Sequence, residues 1–297
     1  MNKKKTIFIS ILKIIRPYQW VKNVLVFLPM LMSHNLTSEN FLILINAFII
    51  FSLVASSIYV INDIADLKSD QQHSYKKNRP FASGLINFNQ CLYLIIFLIL
   101  ISSLLLINLN KNFIFLILTY FIISNLYTFV FKKYIIIDLL ILSILHILRI
   151  IGGGLIVDIS ISIWLISFSI FFFIFLAAIK RLIEIINTKE FNKNKIVGRG
   201  YIYKNKKIIN IISIFSGYMS VIVLILYVNS SQTINLYSSP NILWGICFVM
   251  LFWISRMIYI SNKRLIKDDP IIYTIKDVIS YVCLFLILCI ILLGFSI

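Results

Sequence analysis

Residues 41–70 read FLILINAFIIFSLVASSIYVINDIADLKSD, an apolar run that ends in a cluster of aspartates. The run is long enough for an α-helix to cross the hydrocarbon core of a bilayer. Asp63, Asp66 and Asp70 are spaced i, i+3 and i+7, which on a continuous helix places all three carboxylates on one face. Because like charges repel, this face predicts a bound divalent cation with oxygen ligands. A solvated acidic helix end is the alternative.

Apolar runs of this kind recur along the chain and predict an all-α, polytopic membrane protein. Hydrophobic residues make up 60% of the 297 residues. Runs near the length of a membrane span predict nine transmembrane helices. They cover residues 19–33, 41–61, 89–109, 112–131, 134–156, 161–186, 208–228, 241–260 and 275–296. No polar segment is long enough for a soluble domain, so we predict a single membrane domain over residues 1–297.

Basic residues alternate between the connections as the positive-inside rule describes. Lys and Arg are concentrated in the N-terminal segment 1–18 and in the even-numbered connections, which include 62–88 and 187–207. The odd-numbered connections contain Lys111 alone. This pattern predicts a cytoplasmic N-terminus and a site at the cytoplasmic face of the cell membrane. It also explains much of the net charge of +17, together with attraction to anionic membrane lipids and without nucleic acid.

Basic side chains that follow or precede the aspartates are candidates to hold phosphate. Lys77 and Arg79 come within ten residues of Asp70, and a diphosphate commonly bridges Mg²⁺ and such groups. His73 is interpreted either as a ligand or, more commonly for a loop histidine, as solvated. Lys22 is a candidate near the N-terminus, with topology signal as the alternative.

Charged residues in the later apolar runs form a third set of candidates. Asp138 and Arg149 lie in the fifth run, where a charge must face a partner, a cavity or the protein interior, and structural pairing is the alternative to binding. Lys180 and Glu184 are one helical turn apart, which predicts either an i, i+4 ion pair or a phosphate clamp. The segment Asp268-Asp269-Pro270 is interpreted as a turn and helix cap. The sequence contains no hydrolase triad, Walker loop or dinucleotide fingerprint.

The motif Asn62-Asp63-x-x-Asp66-x-x-x-Asp70 resembles the first Asp-rich motif of the UbiA prenyltransferase superfamily. The resemblance implies a helical bundle in which Asp63, Asp66 and Asp70 bind Mg²⁺ and the diphosphate of the donor, with Asn62 orienting the site, at a cavity open to the cytoplasm and to lipid. The superfamily's second Asp-rich motif is missing, because no aspartate occurs between Asp158 and Asp268. Lys180-Arg181-x-x-Glu184 stands in its place.

This departure resembles the decaprenyl-phosphate phosphoribosyltransferase branch of the superfamily. Further segments share that resemblance: Arg16-Pro-x-Gln-Trp-Val-Lys-Asn23, Asp70-x-x-His73, Arg79-Pro-x-Ala82, Tyr127 with Lys132, and Arg149-Ile-Ile-Gly-Gly153. The branch implies Mg²⁺-dependent transfer of 5-phosphoribose from phosphoribosyl diphosphate to a polyprenyl phosphate, for cell-envelope glycan precursors. The implied substrate-binding residues are Lys22, Lys77, Arg79, Tyr127, Lys132, Arg149, Lys180, Arg181 and Glu184.

Two alternatives stay open at this point. The first is an ordinary prenyltransferase that moves a prenyl group from a prenyl diphosphate to an aromatic, quinone-precursor or haem acceptor. The second is an ion-coupled transporter whose carboxylates bind the coupling ion, which predicts ion-dependent flux and no release of pyrophosphate. The sequence leaves open the chain length of the acceptor, the pathway served and the oligomeric state.

Overall fold

A computed structural model describes residues 3–33, 36–72, 76–190, 196, 198–266 and 269–296, which form helices and no β-strand. The α-helices are α1 (Lys3–Ile15), α2 (Leu28–Met32), α3 (Ser38–Ala65), α4 (Leu67–Gln71), α5 (Phe88–Leu106), α6 (Lys111–Phe129), α7 (Ile135–Ile156), α8 (Ile163–Glu190), α9 (Lys206–Val228), α10 (Ser231–Leu236), α11 (Trp244–Asn262), α12 (Pro270–Thr274) and α13 (Val278–Ser296). Short 3₁₀ helices cover Pro17–Phe27, Lys76–Asn78, Phe131–Lys133, Tyr203–Asn205 and Pro240–Leu243. The predicted all-α class is confirmed.

Seven helical segments of the described chain are long and apolar enough to cross a membrane. They are Ser38–Ala65, Phe88–Leu106, Lys111–Phe129, Ile135–Ile156, Ile163–Asn187, Tyr203–Val228 and Pro240–Asn262. They correspond to the second to eighth predicted spans and make this an integral membrane protein. The predicted count of nine is not confirmed, since the last run contains only a shorter apolar helix, Val278–Gly294, and the first is not one α-helix.

The outward face of α5 illustrates why these helices need a lipid environment. Tyr93, Phe97, Leu100 and Leu104 recur every three or four residues along α5, and all four are exposed. An apolar stripe of this length on a helix surface is unfavourable in water and is accommodated by acyl chains.

The first compact unit comprises residues 1–161 together with 197–199. Helix α3 is central to it and packs against α5, α6, α7 and the 3₁₀ helix Pro17–Phe27. Phe51 of α3 is fully buried and lies edge-on to the rings of Phe113 and Tyr120, with ring centroids 6.0 and 5.4 Å apart. Aromatic contacts of this geometry hold α6 against α3.

The first predicted span, residues 19–33, forms the 3₁₀ helix Pro17–Phe27 followed by the five-residue α2. Runs of 3₁₀ helix this long are uncommon, so tertiary contacts must hold it. Gly153 of α7 provides one such contact: a Cβ built at this glycine would lie 1.9 Å from the carbonyl oxygen of Val26. Only glycine lets the two backbones approach so closely.

The second compact unit comprises residues 162–196 and 200–297. Helices α8 and α9 pack along each other, and α11 packs against α8, α9 and α13. The rings of Phe172 and Phe175 on α8 lie 5.9 and 6.2 Å from that of Trp253 on α11, which joins these helices. The expectation of one domain over residues 1–297 stays a prediction.

Candidate functional site

The three predicted metal ligands lie where α3 leaves the apolar part of the first unit. Helix α3 ends at Ala65, Asp66 forms a turn with φ −93° and ψ 6°, and α4 begins at Leu67. The single unbroken helical face predicted for the three aspartates is therefore wrong, because the helix is interrupted at Asp66. Asp63 and Asp70 are nonetheless both only 2% exposed.

Arg79 joins the first and third aspartates through a single nitrogen atom. Its Nη1 lies 3.2 Å from Asp63 Oδ1 and 2.5 Å from Asp70 Oδ2. The arginine belongs to the connection between α4 and α5, and 25% of its side chain is exposed. The structure thus brings Asp63, Asp70 and Arg79 together, as their proximity in sequence suggested.

Two further basic residues complete this cluster. Arg16, at the start of the 3₁₀ helix Pro17–Phe27, forms a second ion pair with Asp63 Oδ1. Lys132, from the short connection between α6 and α7, places its Nζ 2.5 Å from Asp66 Oδ1. Each carboxylate therefore has at least one basic partner. We refer to Asp63, Asp66, Asp70, Arg16, Arg79 and Lys132 as the carboxylate cluster.

The donor atoms of the carboxylate cluster suit Mg²⁺, although basic side chains engage them in the structure. Across the described residues, no three Asp, Glu, His or Cys side chains are arranged to hold a metal ion. However, Asp63 Oδ2 is buried and has no hydrogen-bond partner within the same described part of the chain. An unsatisfied buried acceptor costs about 1–3 kcal/mol, and carboxylate oxygens are the ligands that Mg²⁺ prefers. The donor chemistry of Asp63, Asp66 and Asp70 therefore fits this ion, although their side chains are not gathered around one point in the structure.

A second buried carboxylate lies at the start of α7. Asp138 is fully buried, and its Oδ1 accepts a hydrogen bond from the Tyr127 hydroxyl at 2.9 Å. Arg199 Nη1 lies 3.2 Å from the same oxygen and 3.0 Å from the Tyr127 hydroxyl oxygen. Asp138 thus pairs with Arg199, a residue that the sequence did not single out. Tyr127, predicted to bind substrate, takes part in this buried pair.

The segment that carries Arg199 also lies beside α4. Gly198 has a positive φ of 79°, and a Cβ built there would contact Ser69 Oγ at 3.5 Å. Ser69 in turn donates a hydrogen bond to the carbonyl oxygen of Asp66 at 2.9 Å. Gly198 therefore lies beside a residue that is hydrogen-bonded to the backbone of Asp66.

Arg149 is buried in the interior of the first unit. Its Nε donates to Asn23 Oδ1 at 2.7 Å, its Nη2 donates to the Tyr120 hydroxyl at 2.8 Å, and its Nη1 donates to the carbonyl oxygen of Leu145. The guanidinium also lies 4.9 Å from the centre of the Tyr120 ring, a cation–π contact. Among the described residues it forms no ion pair, whereas the structural pairing considered for the charges of this run is present at Asp138. Its predicted role in binding substrate stays a prediction.

In the second unit, Lys180 forms an ion pair with a distant aspartate. Its Nζ lies 2.7 Å from Asp269 Oδ2. Asp269 also caps α12, because its Oδ1 accepts a hydrogen bond from the backbone N–H of Ile271 at 3.0 Å. The i, i+4 pair between Lys180 and Glu184 is therefore wrong, whereas the predicted cap before Pro270 is confirmed.

Glu184 instead pairs with Arg181, its neighbour at i−3. Arg181 Nη1 lies 2.7 Å from Glu184 Oε2, and the arginine is fully buried. Its guanidinium also lies 5.9 Å from the centre of the Tyr201 ring. In the segment that replaces a second Asp-rich motif, the basic side chains of Lys180 and Arg181 are thus each paired with a carboxylate.

The remaining predicted site residues differ in their surroundings. Asn62 is half-buried, and its carbonyl oxygen accepts the Asp66 N–H at 2.9 Å. Lys22 is half-buried on the 3₁₀ helix Pro17–Phe27, and Lys77 is exposed. His73 and Asp268 lie outside the described residues.

The chain is similar to known proteins in both sequence and structure. The model of the UbiA prenyltransferase family matches residues 23–196. Nodulation protein NoeC of Azorhizobium caulinodans is 30% identical over 277 residues, covering 93% of this chain and 90% of that protein. Decaprenyl-phosphate phosphoribosyltransferase of Mycolicibacterium smegmatis is 32% identical over 187 residues, covering 61% of this chain and 58% of that protein.

A solved structure resembles the fold over nearly the whole chain. It is that of a UbiA homolog from Archaeoglobus fulgidus bound to DMAPP and Mg²⁺, with a TM-score of 0.71. The alignment covers 95% of this chain and 99% of that one at 14% identity. At this identity the likeness concerns the fold alone.

Proposed function

The chain belongs to the UbiA prenyltransferase family, whose members are transferases, and on that premise we propose that it transfers 5-phosphoribose from phosphoribosyl diphosphate to a polyprenyl phosphate. The observation that carries the proposal is the carboxylate cluster, in which three aspartates are interleaved with Arg16, Arg79 and Lys132. Such a cluster offers oxygen ligands to Mg²⁺ and cationic donors to phosphate within one site.

The abundance of cations favours a phosphorylated sugar donor over a prenyl diphosphate. Phosphoribosyl diphosphate carries a 5-phosphate in addition to its diphosphate, whereas the rest of a prenyl diphosphate is apolar. Lys180 and Arg181 are basic residues where the wider superfamily carries a second set of aspartates. The decaprenyl-phosphate phosphoribosyltransferase relative supports this choice over the 58% of that protein which the alignment covers.

The reaction we propose is a substitution at C1 of the ribose. The bond from C1 to the pyrophosphate oxygen breaks, and an oxygen of the polyprenyl phosphate forms the new bond to C1. The lipid phosphate is already anionic at neutral pH, so positioning of the two substrates contributes more than a general base. Negative charge builds on the departing pyrophosphate, and Arg79 and Lys132 are the side chains best placed to bind it. When bound by Asp63, Asp66 and Asp70, Mg²⁺ supplies further stabilisation of that charge.

We place this site at the cytoplasmic side of the membrane. The basic segments 1–18, 62–88 and 187–207 flank the helices that carry the proposed site residues. A water-soluble donor reaches a site on that side directly, while the polyprenyl tail of the acceptor stays among apolar helices. Accessibility of a cysteine introduced at Lys77 to an impermeant thiol reagent, in intact cells and in inverted vesicles, tests the assignment.

The direct test of the function is an incubation of purified protein with Mg²⁺, labelled phosphoribosyl diphosphate and a polyprenyl phosphate. We expect a labelled phospholipid and an equal amount of pyrophosphate, and neither product when EDTA removes the metal. Turnover of a prenyl diphosphate, without a labelled phospholipid, would reject phosphoribosyl transfer. Ion-dependent flux without release of pyrophosphate would instead indicate the transporter.

Prenyl transfer is the second candidate, and a specific observation favours it. The Archaeoglobus fulgidus homolog with the same fold is bound to DMAPP and Mg²⁺. A matched incubation with a prenyl diphosphate and an aromatic acceptor, under the same conditions, distinguishes the two transferases.

A further inference from the structure

Arg79 lies where two of the proposed metal ligands meet. One atom, its Nη1, is within 3.2 Å of Asp63 Oδ1 and 2.5 Å of Asp70 Oδ2. Both aspartates are buried, so their charges are poorly screened by water and require a nearby cation. In the structure that cation is a guanidinium group.

We propose that Arg79 is an exchangeable counter-cation, which Mg²⁺ displaces from Asp63 and Asp70 and which then binds the pyrophosphate of the donor. The proposal rests on the proposed function only in taking a Mg²⁺–pyrophosphate group as the ligand. Arg79 then has two successive sets of partners: the carboxylates before Mg²⁺ and pyrophosphate bind, and the phosphate groups afterwards.

The surroundings of Arg79 support an exchange rather than a permanent ion pair. Its side chain is 25% exposed, compared with 2% for that of Asp63, and it comes from a connection rather than from a helix. Arg16 also contacts Asp63, so this carboxylate keeps a basic partner when Arg79 leaves. Asp63 Oδ2 is buried without a partner among the described residues and offers a further oxygen ligand.

The charges of the carboxylate cluster balance in the structure, and the positive charge that Mg²⁺ adds is opposed by the incoming pyrophosphate. In the structure, Arg16, Arg79 and Lys132 offset the three carboxylates of the cluster. A divalent ion that replaces Arg79 adds charge beside the carboxylates, and the released guanidinium is available to the incoming pyrophosphate. Lys132, 2.5 Å from Asp66, is in a position to undergo the same exchange.

Titration of the full-length protein with Mg²⁺ alone tests the first half of this proposal. The variants are Arg79→Gln and a matched control, Lys68→Gln. Lys68 is an exposed residue of α4 that forms no ion pair with the described residues, so its replacement removes one positive charge near the aspartates without removing a contact. Calorimetry, or the Mg²⁺ concentration that half-maximally raises the melting temperature, reports the affinity.

We expect the Arg79→Gln protein to bind Mg²⁺ at least about fivefold more tightly than the wild type, because a competing cation is gone. The Lys68→Gln protein should show only a small gain, because Lys68 is exposed to solvent and forms no ion pair with the described residues. An Arg79→Gln protein whose Mg²⁺ affinity is no greater than that of the control would overturn the exchange. Should this variant fail to fold, Lys132→Gln provides the same comparison at Asp66.

Titration with inorganic pyrophosphate at saturating Mg²⁺ tests the second half. The Arg79→Gln protein should bind pyrophosphate at least about fivefold more weakly than the wild type, opposite in direction to its gain for Mg²⁺. Equal pyrophosphate affinities would show that the guanidinium does not move to phosphate. Neither titration contains a ribose donor or a lipid acceptor. The exchange at Arg79 can therefore be disproved without disproving the proposed transferase activity, and the reverse also holds.

Discussion

Asp66 is the one aspartate of the carboxylate cluster that lies in the turn between α3 and α4, and it is paired with Lys132. Replacing it with asparagine removes the negative charge and keeps the size of the side chain. We expect Asp66→Asn to lower Mg²⁺-dependent release of pyrophosphate by about 10²-fold or more, since charge stabilisation at the leaving group is lost. The melting temperature without Mg²⁺ should fall only modestly, because asparagine keeps an oxygen that can accept a hydrogen bond from the buried Lys132. Retained turnover would remove Asp66 from the site.

Arg149 allows a sharper distinction at the residue scale between a structural and a binding role. Lysine keeps the charge but lacks the forked donors that reach Asn23 and Tyr120 together. We expect Arg149→Lys to lower the free energy of unfolding by about 3 kcal/mol, the range for a disrupted buried network. Tyr120→Phe, which removes one acceptor, is the control and should cost about 1 kcal/mol.

The pair of measurements separates the two interpretations of Arg149. Thermal unfolding reports the structural role, and binding of phosphoribosyl diphosphate reports the role in substrate binding. An Arg149→Lys protein with normal stability and lost donor binding would contradict the structural role.

At the scale of the elements, the contact between α7 and the 3₁₀ helix Pro17–Phe27 depends on Gly153. A methyl group there would lie 1.9 Å from a backbone oxygen of Val26, and backbone atoms cannot rotate away as a side chain does. We expect Gly153→Ala to destabilise the protein by about 3 kcal/mol, at the upper end for overpacking. Gly245→Ala is the matched control in a helix, since its nearest contact is the flexible tip of Ile290 at 3.0 Å. Equal melting temperatures for the two variants would contradict the close approach.

Sequence patterns predicted the long helices well and the irregular elements poorly. An apolar run long enough to span the bilayer must form an α-helix, because its backbone N–H and C=O groups have no water to bind and must hydrogen-bond within the segment. Hydropathy reports composition, however, and does not distinguish an α-helix from the 3₁₀ helix Pro17–Phe27. The break at Asp66 escapes prediction for a related reason, because the spacing of the aspartates does not reveal where α3 ends.

At the scale of the whole molecule, some contacts of the candidate site can be predicted from residues that are close in sequence, and others cannot. Asp63, Asp70 and Arg79 are close in sequence and come together as expected. The pairs Asp138–Arg199 and Lys180–Asp269 join residues far apart in the chain. A single sequence carries no signal for such distant partners, since any buried acid can pair with any basic residue that the fold brings to it.

Ligand binding offers a prediction for the protein as a whole. If phosphoribosyl diphosphate is the donor, its addition with Mg²⁺ should stabilise the folded protein, by about 2.7 kcal/mol when the ligand is at a hundred times its Kd. The melting temperature should rise with this pair, and EDTA should reverse the rise.

The matched comparison replaces phosphoribosyl diphosphate by DMAPP at equal concentration. A larger rise with DMAPP would favour prenyl transfer, and no rise with either compound would count against both transferases.

The mutual neutralisation of acids and bases in the carboxylate cluster has a consequence for the life of the protein in the cell. A cluster that supplies its own counter-cations needs no inorganic ion for the protein to fold and to remain folded in the bilayer. If the proposed function holds, a shortage of magnesium would leave the protein folded but inactive until the ion and the donor are both present again.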